Sequence, residues 1–346
     1  MIRTNLTIND PADAPLDGER RASRDAAAEP ATATEAPALS AEHRWLEGLY
    51  RRYHHPRFIE LDPLAVVRRC GDPADREVVG LLAASLAYGN VKAILGGLAD
   101  ALDRLAADPD PDPASADAGS GSGAGAARAL LDATPATLRR RFADYRYRVS
   151  SGAQVAGLLI GARTLIRRHG SLAQSFAAAA GPALDARPAG GAPAATDDAA
   201  NPGDNVHRGA ADEAAAVCAA VGRWVESLHA AAGASLAHLL PLPAKASACK
   251  RLFLYLRWMV RRDAVDPGGW DAPRPDQLIV PLDTHMHAIA RRLAWTDRKQ
   301  ANLPAALEVT AALRRHRPDD PLRYDFALTR PGIRREPMPH LAPQRP

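Results

Sequence analysis

No run of alternating β-branched residues appears anywhere in this chain of 346 residues; its apolar side chains return instead with a helical period. Trp45, Leu49 and Tyr53 recur at that spacing, as do Ile94, Leu98 and Leu102, and Val217, Val221, Trp224 and Leu228. Residues three and four apart gather on one face of an α-helix, whereas in a strand they fall on opposite faces. The expected fold class is mainly α.

Punctuation between the stripes sets the expected boundaries. Order begins near Ala41, and Pro56 after His54-His55 ends the first helix. Asp62-Pro63 and Asp72-Pro73 read as helix starts, Asp at the cap and Pro at the first position. A helix from Ala74 to about Tyr88 ends at Gly89-Asn90, and Val91 to about Leu105 follows. Further helices are expected at 127–131, 135–142, 153–168, 172–180 and 213–231, and from Ser247 to Arg262 with Ser247 as N-cap. Residues 1–40, about 107–126, about 183–212 and 334–346 are rich in Ala, Pro, Gly, Asp and Ser. Such segments bury too little apolar surface to offset their ordering entropy. They read as a disordered tail, two low-complexity insertions and a disordered C-terminal tail around a single domain at 41–333. The foldable part is roughly 230–240 residues, enough for one core.

Composition narrows the function classes. Lysines occur only at 92, 245, 250 and 299, so 40 of the 44 basic residues are arginine. Arginine is not deprotonated in proteins, so only those lysines can supply an amine nucleophile. Residues 241–346 hold 19 Lys/Arg against 11 Asp/Glu, a basic third that suits a polyanionic partner. Cysteines stand at 70, 218 and 249, with no metal-type spacing, and read as free thiols in a reducing compartment. The N-terminus lacks a basic-then-apolar signal pattern, and no apolar run is long enough to span a bilayer. A cytoplasmic protein without a membrane partner is expected.

The chemistry concentrates between Ser247 and Leu293. In the helix from Ser247, Leu252, Leu256, Met259 and Val260 form the stripe to be buried. On another face Lys250, Leu254, Arg257 and Arg261 fall within about 60° of one another. The partial positive charge of a helix N-terminus and two neighbouring cations both disfavour the ammonium form of Lys250. An uncharged amine is what a nucleophile requires. A solvated basic face explains the same row. After a turn-rich loop anchored by Trp270, Leu278 to Leu282 is extended and Asp283 or Thr284 caps the next helix. A capping carboxylate accepts backbone N–H bonds and stays ionised, which suits a site that stabilises a cation. Asp283 and His287 share a helix face, but His285 lies roughly 160° away, so no metal is expected. Upstream, RRRFADYRYRVSSG interleaves Phe142, Tyr145 and Tyr147 with arginines including Arg146, a pattern that can stack bases and pair phosphates.

The run PLDTHMHAIARRL resembles the helix start of helix–hairpin–helix DNA glycosylases of the endonuclease III superfamily, and DREVVGLLAASLAYGN is similar to their early helix. CKRLFLYLRWM resembles the archaeal 8-oxoguanine glycosylase branch. KASACKRLFLYLRWMVRRD, LIVPLDTH and DPLRYDFALTRPGIRR together look like an uncharacterised bacterial family of this superfamily. The resemblance implies a helical, glycosylase-like architecture with Lys250 as nucleophile and Asp283 as catalytic carboxylate. It further implies DNA as partner, with Arg257, Arg261, Lys245 and Arg146 as candidate contacts. Two features depart from it. Leu240-Pro241-Leu242-Pro243-Ala244 replaces the family's glycine hairpin, whose glycines let backbone amides approach a phosphate. There is no four-cysteine cluster motif, so no cofactor is expected. Lys245 competes with Lys250 for the nucleophile's place. The expected function is a base-excision glycosylase or glycosylase/lyase. The alternative is a non-catalytic nucleic-acid-binding protein on the same scaffold, and the remotest reading is a metal-dependent hydrolase.

Overall fold

A computed structural model of the protein describes residues 40–60, 62–107, 123–184, 202–245, 247–334 and 336. The N-terminal tail and most of both insertions and of the 334–346 segment lie outside the described residues. Among the described residues thirteen α-helices carry the fold, and the strands are one antiparallel pair of two residues each. The chain is mainly α.

Helix α1 (Ala41–Tyr53) starts where Ser40 Oγ accepts from His43 N, and it buries Leu46, Leu49 and Tyr53. Short α2 (Leu64–Arg69) follows; Asp62 Oδ1 accepts from Leu64 N, one step short of a full cap. In α3 (Pro73–Ser85) Asp72 and Pro73 take their expected places. That helix stops three residues before Tyr88, although Gly89 does adopt the left-handed region at φ +102°. Asn90 caps α4 (Val91–Ala106), whose stripe of Ile94, Leu98 and Leu102 is buried as its spacing predicts. Next come α5 (Ala126–Asp132), α6 (Pro135–Arg141) and a hairpin, β1 (Arg146–Tyr147) antiparallel to β2 (Ser150–Ser151).

Two longer helices form the next layer. Ser151 and Gln154 close a reciprocal capping box on α7 (Gly152–His169), and α8 (Leu172–Ala180) follows. Helix α9 (Pro202–Ala232) begins eleven residues before Glu213, so the second insertion is shorter than its composition predicts. It packs along α7 and α8. At Gly161 a Cβ would stand 2.8 Å from the Leu228 carbonyl oxygen, so only glycine permits the close approach of α7 to α9.

The remaining helices are α10 (Lys250–Val260), α11 (Thr284–Arg292), α12 (Leu303–Arg314) and α13 (Asp325–Arg334). α10 packs on α3, and α13 packs on both α1 and α11. The buried apolar residues form one contiguous core. Within it Trp224 stacks on Tyr255 at 5.9 Å, and Trp270 meets both edge-on at 6.0 and 5.3 Å. Trp270 therefore anchors the loop after α10, as expected. Among the described residues no helix is long and apolar enough to cross a membrane.

Candidate active site

The chain turns sharply into α10. The 3-10 turn Pro243–Lys245 leads to Cys249, which sits in the left-handed region at φ +45° and forms the N-cap. For a non-glycine residue this costs roughly 1–2 kcal/mol. Cys249 Sγ donates to the Pro241 carbonyl at 3.3 Å, and its N–H donates to Ser247 Oγ at 3.3 Å. Ser247 is thus not the helix cap; its backbone pairs with Asn302 instead. The bend makes Lys250 the first residue of α10.

Asp283 reaches the same place from another direction. The extended run before it is pinned where Val280 N donates to Thr310 Oγ1 at 3.0 Å. Asp283 then caps α11, with Oδ1 accepting from Met286 N at 2.8 Å. Its other oxygen, Oδ2, lies 3.5 Å from Lys250 Nζ. The lysine side chain is 34% exposed and the aspartate 26%. The pair is open to a ligand yet fixed at two helix starts, and each carboxylate oxygen has one task.

The other two cations on this face of α10 have different surroundings. Arg257 is 4% exposed and Arg261 3%. Arg257 Nη1 donates to Asp325 Oδ2 at 2.6 Å and its Nε to Asp266 Oδ2 at 3.2 Å. Arg261 grips Asp320 with two bonds of 2.9 Å and pairs with Asp263 at 2.8 Å and with Asp266. Burial works against both guanidinium charges, but the facing carboxylates outweigh it and hold them protonated. The expectation that Arg257 and Arg261 hold nucleic-acid phosphates is therefore corrected, because their donors are enclosed and already committed to aspartates. For the same reason they are not free cations acting on Lys250.

Aromatic stacking by the 139–148 segment also needs correction. Phe142, Tyr145 and Tyr147 are at most 4% exposed. Tyr145 Oη donates to the Gly97 carbonyl at 2.9 Å, and Tyr88 Oη to the Tyr147 carbonyl at 3.0 Å. Arg146 stays exposed on the hairpin. Lys245 is exposed and makes no ion pair among the described residues, so the structure brings Lys250, not Lys245, to Asp283. His287 is buried with Nε2 on the Arg298 carbonyl at 3.0 Å, while His285 is exposed. No group of three His, Cys, Asp or Glu side chains among the described residues is arranged to hold a metal ion.

Several residues that shape the site escaped sequence reasoning. Asp325 opens α13, is 4% exposed, and lies near enough to Asp283 to feel its charge. Glu77, on the buried face of α3, accepts from Leu172 N at 2.8 Å, Ala173 N at 2.9 Å and Trp270 Nε1 at 2.8 Å. The available signal was a carboxylate inside an apolar helix face, since such a group must find donors. The role of DPLRYDFALTRPGIRR also becomes visible. Asp320 and Asp325 neutralise α10's buried arginines, Arg330 pairs with Asp62 at 3.1 Å, and Tyr324 and Phe326 enter the core.

What emerges is a helical protein with an accessible amine–carboxylate pair held at two helix starts. The chain belongs to the family described as "Protein of unknown function (DUF2400)", which matches residues 62–334 and thus takes in the whole site. No curated protein and no solved structure matches it.

Proposed function

We propose that the protein is a base-excision glycosylase acting on a modified base in DNA, with Lys250 as nucleophile and Asp283 as its partner carboxylate. The observation that carries this reading is the 3.5 Å separation of Lys250 Nζ and Asp283 Oδ2, with both side chains accessible. The target nucleotide is flipped from the duplex at a cost of a few kcal/mol. Deprotonated Lys250 forms a bond from Nζ to the sugar C1′ as the glycosidic C–N bond breaks, and that bond's electron pair leaves with the base. The Asp283 carboxylate stabilises the cationic sugar while the glycosidic bond breaks, and then takes a proton from the attached nitrogen. As the C1′–O4′ bond opens to a protonated imine, Asp283 passes that proton to O4′. Exposed Arg146 and Lys245 are the remaining candidates for phosphate contacts.

A non-catalytic nucleic-acid-binding role is favoured by one feature. Pro241 and Pro243 stand where a phosphate-gripping hairpin needs free backbone amides. Borohydride reduction on duplexes carrying abasic, oxidised, deaminated and alkylated bases separates the two readings. The expected result is a covalent adduct that is lost in Lys250→Ala and retained in Lys245→Ala. An adduct that survives Lys250→Ala removes the nucleophile assignment. Absence of both adduct and free-base release on every duplex, with salt-dependent binding, selects the binding protein.

A further inference from the structure

Where α1 gives way to the 3-10 turn Pro56–Phe58 and meets the end of α13, an open pocket of about 470 Å³ is lined by Arg52, Tyr53, Arg57, Phe58, Glu60 and Arg334. Glu336 lies in it. None of these residues belongs to the Lys250–Asp283 site. We propose that this pocket binds a phosphomonoester, and that Glu336 fills it as an intramolecular carboxylate when the ligand is absent.

The pocket already recognises an oxyanion. Tyr53 Oη donates to Glu336 Oε2 at 2.8 Å, and Arg334 Nε pairs with Oε1 at 2.5 Å. Arg334 first, and then Tyr53, hold the Glu336 carboxyl below the usual carboxylate range. Besides the Arg334–Glu336 pair, the cations lie over ring faces. Arg57 and Arg334 lie 4.8 and 5.1 Å from the Phe58 ring centre, and Arg52 lies 5.2 Å from that of Tyr53. Guanidiniums held this way keep their planar donor forks available for an anion, in places fixed before the ligand arrives.

Charge and size then set the ligand class. Without Glu336 the lining carries three arginines against Glu60, an excess of two positive charges. A phosphomonoester carries about −1.5 to −2 at neutral pH and presents three acceptor oxygens, so it satisfies more of these donors than a carboxylate can. The volume falls within the range of small-molecule sites, roughly 300–1,000 Å³, and leaves room for the organic part of the ester.

Calorimetric titration of the full chain tests this, with inorganic phosphate, phenyl phosphate and acetate as probes. Glu336→Gln removes the competing carboxylate from a position near the surface, and both phosphates are expected to bind that variant at least about tenfold more tightly than the parent. Adding Arg57→Met to Glu336→Gln is expected to undo the gain. Three outcomes overturn the proposal: no binding of either phosphate to Glu336→Gln, affinity indifferent to Arg57→Met, or acetate bound as tightly as phosphate. Titration of this pocket does not depend on adduct formation at Lys250, so either result stands whatever the other shows.

Discussion

At the scale of single residues, Asp283 does two things that substitution can separate. Its Oδ1 caps α11 and its Oδ2 faces Lys250. Asparagine keeps an oxygen for Met286 N and loses the charge, whereas alanine loses both. Asp283→Ala is therefore expected to unfold in urea with about 1 kcal/mol less stability than Asp283→Asn. Both variants are expected to lose borohydride-trappable adduct. Equal stabilities would mean that the cap contributes nothing, and an adduct undiminished in Asp283→Asn would mean that the charge does not act. The residues of this pair were legible in the sequence because their types are scarce or positionally marked: a lysine in an arginine-dominated chain, and an aspartate at a helix start. Arg257 and Arg261 were legible as a row but not as a buried row. Helical spacing shows which residues share a face, and nothing in it shows that Asp325, 68 positions away, closes over that face.

Among the elements, boundaries set by caps were readable and those set by tertiary contact were not. Asp72 and Asp283 cap their helices with their own side chains, and the spacing that marks those helices is local. α10 starts at Lys250 because Cys249 takes a left-handed turn tied to Pro241, a constraint with no local signature. α9 starts early: residues 202–212, led by Pro202 at the first helical turn, extend a helix that packs against α7 and α8. Glu77 belongs at this scale, since one carboxylate on α3 satisfies the first two amides of α8 and the indole that anchors the loop after α10. Burial raises its carboxyl, and the three donors oppose that shift. Glu77→Ala leaves two buried donors and one half-buried donor without their partner, at about 1–3 kcal/mol for each buried one before relaxation. Urea titration is expected to show a loss of about 3–5 kcal/mol, near the upper end for single substitutions. A loss below 1 kcal/mol would mean that water replaces the carboxylate and that Glu77 is not the joint between these elements.

For the molecule as a whole, the ionic layer on α10 predicts how stability responds to acid. Burial alone would raise the Asp263 carboxyl, but His54, with Nε2 3.0 Å from Oδ1, and the charge of Arg261 outweigh it and hold it far below its ordinary range. A carboxyl depressed on folding stabilises above its unfolded value of about 3.9, and that stabilisation is lost as pH falls further. Asp263→Asn is therefore expected to be less stable at neutral pH, and the gap to the parent is expected to narrow between about pH 4 and pH 2. Parallel stability curves across that interval would exclude Asp263 as the source. Another consequence follows from the pairing of α1 with α13. Glu47 finds Tyr324 277 positions later, and Tyr53 finds Glu336 283 positions later. Of the described helices, synthesis therefore produces α1 first and α13 last. Leu46, Leu49 and Tyr53 have no α13 to pack against until residues 325–334 have been made, so closure of the fold is a late event and α1 is the segment a chaperone would have to shield until then.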